Sequence, residues 1–273
     1  MGLRVFISAD IEGIAGAVSR QQVTLGELDY AEGRRLMTLE VNAAIAGARE
    51  AGATEFVVCD AHANMQNLLP ELLDQDAELV RGAYRESLQM QGMDGSFDAV
   101  FITGAHAAAG TKHAVLDHTW VGALVHNIRI HGVRMNEATL NDLVAGYYGV
   151  PTVLVTGDEA TIAQTREQLP HIEGAVVKHS YSRFSARSLH PEVARGVIRE
   201  AARRAIERLS SFRSTPVPNP LEMEIEFYRT DIADSAELVP LVERVDARTI
   251  RVVGEPEFVF RMQQLILYRL KYE

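Results

Sequence analysis

The chain has 273 residues, 47% of them hydrophobic and 23% charged, with a formal net charge of −10 from 27 Lys and Arg against 37 Asp and Glu. An acidic chain without a basic aromatic stripe lacks the main attraction for a phosphate backbone, and no stretch approaches the roughly 20 apolar residues that span a bilayer, so neither nucleic acid nor membrane is expected as a partner. The single cysteine, Cys59, rules out an intrachain disulfide and a thiolate-rich zinc site, so any metal has to be held by His, Asp or Glu.

MGLRVFISAD runs directly into a strand-like segment, without a basic start and an apolar signal region, which predicts a cytoplasmic protein. The first strand is predicted at Arg4 to Ser8. A helical period follows from Tyr30, with Met37, Val41, Ala44, Ile45 and Ala48 on one face and Gly52 marking its end. EFVVCD, Glu55 to Asp60, and DAVFITG, Asp98 to Gly104, predict two further strands. From Ala123 the pattern is a hairpin turning near His131 and Gly132, then a helix from about Glu137 that ends before Gly149 and Pro151. TVLVTGD, Thr152 to Asp158, reads as another buried strand, with Asp158 placed to cap the next helix. HPEVARGVIREAARRAIERL predicts an amphipathic helix with Pro191 in its first turn and Val197, Ile198, Ala201, Ala205 and Leu209 facing inward.

Apolar runs alternating with helical stretches predict an α/β fold, a three-layer α/β/α arrangement around a mostly parallel sheet. STPVPNP, Ser214 to Pro220, carries three prolines in five positions and cannot lie inside a helix or central strand. It marks the expected boundary between an α/β metal-binding catalytic domain, 1–213, and a small C-terminal α+β subdomain, 214–273, made of strands and a terminal helix that ends in RMQQLILYRLKYE. Neither a dinucleotide fingerprint, a P-loop nor a serine nucleophile elbow is present.

Chemistry concentrates where strands end. SADIEGIAG puts Asp10 and Glu12 two positions apart after the first strand; this reads as Asp10 capping a turn with Glu12 solvated, or, if the extended geometry persists, as two like charges on one side that require a proton or a cation between them. The second strand leads into His62 and the third into His106. Each histidine alone reads equally as a hydrogen-bonded structural residue; three strand ends delivering metal-competent groups together favour a site, because parallel sheets bind ligands at their carboxyl ends. Imidazole and carboxylate without thiolate suit catalytic zinc, and also manganese or cobalt. Glu137 is a fifth candidate, although a glutamate in a first helical turn also complements the helix dipole, and spacing alone leaves both readings open. Six of the nine histidines, His62, His106, His113, His118, His126 and His131, fall between residues 62 and 131, His126 and His131 on the predicted hairpin and facing solvent.

ISADIEGIAG, CDAHANMQNL, ITGAHAAAGT, AVLDHT and NEATLNDLVAGYYGVPTVLVTGD together resemble the zinc-dependent D-aminopeptidases in order, spacing and strand-end placement over at least residues 3–160. VKHSYSRFSARSLHP continues the resemblance more weakly. One departure is a one-residue insertion between His106 and His118, in AAAGTKHAVLD. The resemblance implies two zinc ions per chain bridged by Asp10, with Glu12 and His106 completing one site and His62 and Glu137 the other. It implies that His118 is the catalytic histidine, which the family is described as using as a nucleophile; as zinc already activates water, an acid or oxyanion-stabilising role is physically the better expectation. It further implies a short-peptide substrate and a homo-oligomer, a decameric ring enclosing its active sites. The expected function is therefore removal of an N-terminal residue, of D configuration, from short peptides or amino-acid amides. The alternatives are a metal-dependent hydrolase of another amide or a phosphate ester, and a non-enzymatic peptide-binding protein attached to peptide transport.

Overall fold

The computed structural model describes residues 2–270. Strands β1 (Leu3–Ala9), β2 (Ala53–Asp60), β3 (Ala77–Val80) and β4 (Ala99–Ala105) are followed by a hairpin, β5 (Val125–Ile130) and β6 (Val133–Arg134). Then come β7 (Thr152–Asp158), β8 (Glu173–Ser182), β9 (Ser185–Ser188), β10 (Leu221–Phe227), β11 (Val242–Arg244) and β12 (Thr249–Gly254). The helices are α1 (Arg20–Val23), α2 (Tyr30–Glu50), α3 (Glu137–Tyr147), α4 (Glu159–Arg166), α5 (Pro191–Glu207), α6 (Thr230–Ala236) and α7 (Pro256–Gln264). The predicted terminal helix is α7 and a short π-helical turn at Leu265–Arg269; its last three predicted residues, 271–273, lie outside the described ones. Among the described residues, no helix is long and apolar enough to cross a membrane.

The main sheet has the order β3-β2-β1-β4-β7-β8-β9, parallel except for β9, which turns back on β8. Its central strands β1, β4 and β7 are buried on both faces because both faces are covered. Val5, Ile7, Phe101 and Val153 pack on one side with Met37, Val41 and Ile45 of α2 and Ile198 and Ala201 of α5. Phe6, Val100, Ile102 and Val155 pack on the other with Ala138 and Ala145 of α3 and Ile162 of α4. The alternation along β1 and β4 thus builds the expected three-layer α/β arrangement. Within α5 the buried stripe is Ala194, Ile198, Ala201, Ala202, Ala205 and Ile206, while Val197 and Leu209 lie at its margin.

A second sheet has the order β11-β12-β10-β5-β6 and is antiparallel throughout. The hairpin therefore leaves the main sheet and pairs with β10, so this sheet draws strands from both sides of the proline-rich segment at 214–220. Its core joins Ile128 and Ile130 of the hairpin to Met223 and Ile225 of β10, Val259 of α7 and Leu140 and Leu143 of α3.

Candidate active site

β2, β1 and β4 are neighbours, and their carboxyl ends deliver His62, the Asp10 and Glu12 pair, and His106 to one place. β1 stops at Ala9, so Glu12 arrives through a tight turn and not through the pleat that the sequence alone suggested. That turn is pressed against the end of β4: Asp10 N–H donates to the Thr103 carbonyl at 2.8 Å and Gly13 N–H to the Gly104 carbonyl at 2.7 Å. A Cβ on Gly13 would sit 1.9 Å from the Ala105 carbonyl oxygen, so only glycine admits this approach. Glu137 opens α3 behind the cap of Asn136, whose side chain accepts from Thr139 N–H at 2.9 Å.

Asp10, Glu12, His62, His118 and Glu137 line one cavity of about 480 Å³, with His106 buried behind His118. The two imidazoles stack at 3.9 Å between centroids and 10° between planes. Asp10, Glu12 and His106 offer ligand atoms within 4.8 Å of one another, and so do His106, His118 and Glu137. His62 Nδ1 is 3.2 Å from Asp10 Oδ1 and 3.0 Å from Glu12 Oε2; His106 Nε2 is 3.6 Å from Asp10 Oδ2 and 3.2 Å from Glu137 Oε1. The shortest contacts thus set His62 beside Glu12 and His106 beside Glu137, with Asp10 between them. His118 Nε2 stands 3.8 Å from Glu12 Oε1.

All three imidazoles are held in the same way. His62 donates through Nε2 to the Val23 carbonyl at 2.7 Å, His106 through Nδ1 to the Ala107 carbonyl at 3.1 Å, and His118 through Nδ1 to the Leu116 carbonyl at 2.7 Å. A carbonyl can only accept, so each ring keeps its N–H there and turns its other nitrogen to the carboxylates, the arrangement that orients metal-binding histidines. His106 Nε2 and Glu12 Oε2 are buried and make no well-aligned hydrogen bond, although Glu137 and His62 stand 3.2 and 3.0 Å from them. Buried polar atoms are ordinarily satisfied, so these orphans mark a place where a cation fits.

The electrostatics agree. Burial, and then the charge of Glu12, push the Asp10 carboxyl up to about 8. Burial acts on Glu12 in the same direction, but His62 outweighs it and holds Glu12 well below the usual range. For His62, burial favours the neutral ring and Glu12 and Asp10 overcome it, raising it well above 6.5; His106 is raised to about 10 against burial, chiefly by Glu137. Burial and then His106 lower His118. Without a cation, the cluster holds its positive charge as protons on groups that a metal would use as ligands.

The supporting residues were not legible beforehand. Asp60 accepts from Asn67 N–H, Asn67 Nδ2 and Leu68 N–H, and Asn67 Nδ2 also donates to the His62 carbonyl at 2.6 Å, which folds the loop carrying that histidine. Trp120 N–H donates to Glu137 Oε1 at 2.7 Å and Gln89 Nε2 to Glu137 Oε2, fixing both carboxylate oxygens. An Asp just before CDAH's histidine was the one available signal; Gln89 lies in no pattern. His113, His126 and His131 stand apart from the cluster, on Tyr181, Glu226 and Glu222 respectively.

A mostly parallel sheet whose adjacent strand ends converge on buried imidazoles and carboxylates, with no thiolate, has the features of a metal-dependent enzyme. The D-aminopeptidase family model matches residues 3–264. A D-aminopeptidase of Bacillus subtilis (strain 168) is 32% identical over 241 residues, 88% of this chain and 87% of that protein. The solved structure of "Zn-dependent D-aminopeptidase DppA from Bacillus subtilis, a self-compartmentalizing protease" superimposes with a TM-score of 0.94 at 30% identity, covering 98% of this chain and 97% of that one. The chain belongs to the D-aminopeptidase family, and is a metallo-aminopeptidase with the α/β fold of that structure.

Proposed function

We propose that the enzyme is a two-zinc aminopeptidase that removes an N-terminal D-residue from short peptides or amino-acid amides, working as a closed homo-oligomer, a decamer. The observation that carries the metal assignment is the common orientation of His62, His106 and His118, each tied to a backbone carbonyl through one nitrogen and open to the carboxylates through the other. Asp10 is the shared ligand in this reading, as the residue in contact with both His62 and His106. Glu12 and His106 serve one ion, supported by their grouping with Asp10 within 4.8 Å. His62 and Glu137 serve the other on the strength of the family resemblance, although their nearest contacts are Glu12 and His106. The zinc dependence and the enclosed assembly of the matched structure support the metal and the oligomer.

When bound, zinc supplies Lewis acidity for the scissile carbonyl and brings the pKa of a water to about 7. The chain's own groups do the rest. His118 keeps its proton on Nδ1, against Leu116, and so presents a basic Nε2 to the cavity. Nε2 takes a proton from the attacking water and returns it to the departing amine nitrogen, the geometry of a general base that becomes a general acid. Gln89 and the Trp120 N–H stop Glu137 from rotating. A cavity of about 480 Å³, walled on one side by Trp120, Val121 and Phe184, suits a dipeptide-sized substrate.

The test is release of free amine from D-Ala-D-Ala and L-Ala-L-Ala, with metal content measured on the same sample before and after chelation. Cleavage of the D-peptide that chelation stops and zinc restores supports the reading. About two metals per chain with neither peptide cleaved keeps the centre and removes the substrate.

A further inference from the structure

Tyr268 lines the active-site cavity together with Asp10, Glu12, His118 and Glu137, although it comes from beyond α7. It sits on the π-helical turn at Leu265–Arg269, which the buried Ile266 and Leu267 root in the core of the second sheet. A single π turn interrupting a helix is frequent at functional sites. Among the described residues the Tyr268 hydroxyl has no hydrogen-bond partner, and unlike Trp120 Nε1 of the same wall it is not sealed from open space. Two cavities meet at this side chain. With Met65 it forms the partition between the active-site cavity and a smaller one of about 220 Å³, on the side of Arg85 and Arg269. The charges that act on the phenol tell which of them the oxygen serves. Burial, then Glu137 and Asp10, push it well above its usual 10, and neither arginine pulls it down. The hydroxyl therefore lies on the side of the carboxylates, where it keeps its proton at neutral pH.

The neighbouring donors are already engaged: Gln89 Nε2 and Trp120 N–H donate to Glu137, and the Tyr30 hydroxyl donates to Asn67 Oδ1 at 2.5 Å. Amide hydrolysis builds negative charge on the carbonyl oxygen, here in a cavity whose wall already carries the carboxylates of Asp10, Glu12 and Glu137. A neutral O–H without another partner meets that charge without giving up a bond of its own. We infer that the Tyr268 hydroxyl is a further catalytic group, donating a hydrogen bond to the scissile carbonyl oxygen of the substrate as that oxygen becomes the tetrahedral oxyanion. It transfers no proton; attack by water, cleavage of the C–N bond and the proton carried by His118 stay as described above. The inference rests on the hydrolytic reading of this site and adds the C-terminal segment to its working parts.

The experiment compares the zinc-loaded wild type with Tyr268→Phe, which deletes only the hydroxyl. Three quantities are read: zinc content, kcat and KM for D-Ala-D-Ala, and calorimetric affinity for a phosphinic analogue in which a tetrahedral phosphinate replaces the peptide bond. The expected result is unchanged zinc, KM within about twofold, kcat lowered about 10²-fold and phosphinate affinity weakened by a similar factor, as befits one lost oxyanion donor. A raised KM with unchanged kcat, loss of zinc from the variant, or equal phosphinate affinity in the two proteins each overturns it. A wild type that cleaves neither D-Ala-D-Ala nor L-Ala-L-Ala removes the peptide substrate and leaves this role to the phosphinate: weaker binding by Tyr268→Phe supports it, and equal binding, or none by wild type, overturns it.

Discussion

The ammonium of Lys178, on β8, donates to the main-chain carbonyl of Glu12, although 166 residues separate them. It donates also to the carbonyls of Ile14 at 2.9 Å and Ala17 at 2.7 Å, and its side chain is wholly buried. On the other side of the same turn, Glu40 of α2 accepts from Ala15 N–H at 2.8 Å. The turn that carries Glu12 is thus held from two elements by one cation and one acid. Lys178→Met removes the donor, strips the carbonyls of Glu12 and Ala17 of it and leaves that of Ile14 only the Ala17 N–H at 3.4 Å, which should cost on the order of 3 kcal/mol and weaken metal retention. Urea denaturation with metal analysis of the purified variant checks it; wild-type stability would show that the three bonds are replaceable.

Asp10 and His118 should separate cleanly. Asp10→Ala removes the group that lies between His62 and His106, and both metal content and activity are expected to be lost. His118→Ala should keep its metal and lose activity by roughly 10²- to 10⁴-fold, the usual reach of one acid–base group. Metal analysis beside a D-Ala-D-Ala assay decides it. Full activity in a metal-free sample of either variant would remove the mechanism.

Burial pushes the Glu40 carboxyl from 4.5 up to about 7, against the bond from Ala15 N–H and the charges of Lys178 and Arg195. The folded protein therefore holds a proton that the unfolded chain releases between pH 4.5 and 7. Stability from this group is full below that window and declines as pH rises through it. Glu40→Gln does not titrate, so wild type should lose ground to it from pH 5 to pH 8, by up to about 3 kcal/mol. Urea midpoints of both proteins at the two pH values give the comparison, and a pH-independent difference would contradict it.

Cys59 is buried in β2, with Arg85 Nη1 3.0 Å from its sulfur, and burial pushes the thiol up to about 12. Only a thiolate reacts readily, so a disulfide reagent should modify the folded protein no faster than it unfolds. Modification within minutes under native conditions would show that β2 opens locally.

Four strands of the main sheet, β1, β2, β4 and β7, were readable as apolar runs between helices with clear stripes, whereas β3, β8 and β9, short or half-exposed, gave no such run. Met37, Val41 and Ile45 of α2 and the run at Thr152–Asp158 needed only local pattern. That six side chains, Asp10, Glu12, His62, His106, His118 and Glu137, would meet in one place was readable because strand ends concentrate chemistry and five short motifs coincide. What lacked a local signal was long-range. The partner of β5 lies nearly a hundred positions away, at Leu221–Phe227, and nothing in VHNIRI announces it. Lys178 and Glu40 look on paper like any solvated charges of a strand and a helix, and their burial becomes visible only when the Glu12 turn is folded between them. Gln89 sits in a stretch without periodicity, and its service to Glu137 depends wholly on tertiary placement.

The pairing of β5 with β10 matters beyond architecture. None of the six side chains gathered at the cavity lies after Glu137, yet the ribbon joining the His118 loop to Glu137 is zipped onto β10, with Ile130 facing Met223, Ile128 facing Ile225 and Val125 facing Phe227. The chemistry is therefore not a portable cassette. A chimera that grafts the first 213 residues onto a relative's tail inherits every proposed ligand and is expected to lose function unless those three cross-strand partners travel with it.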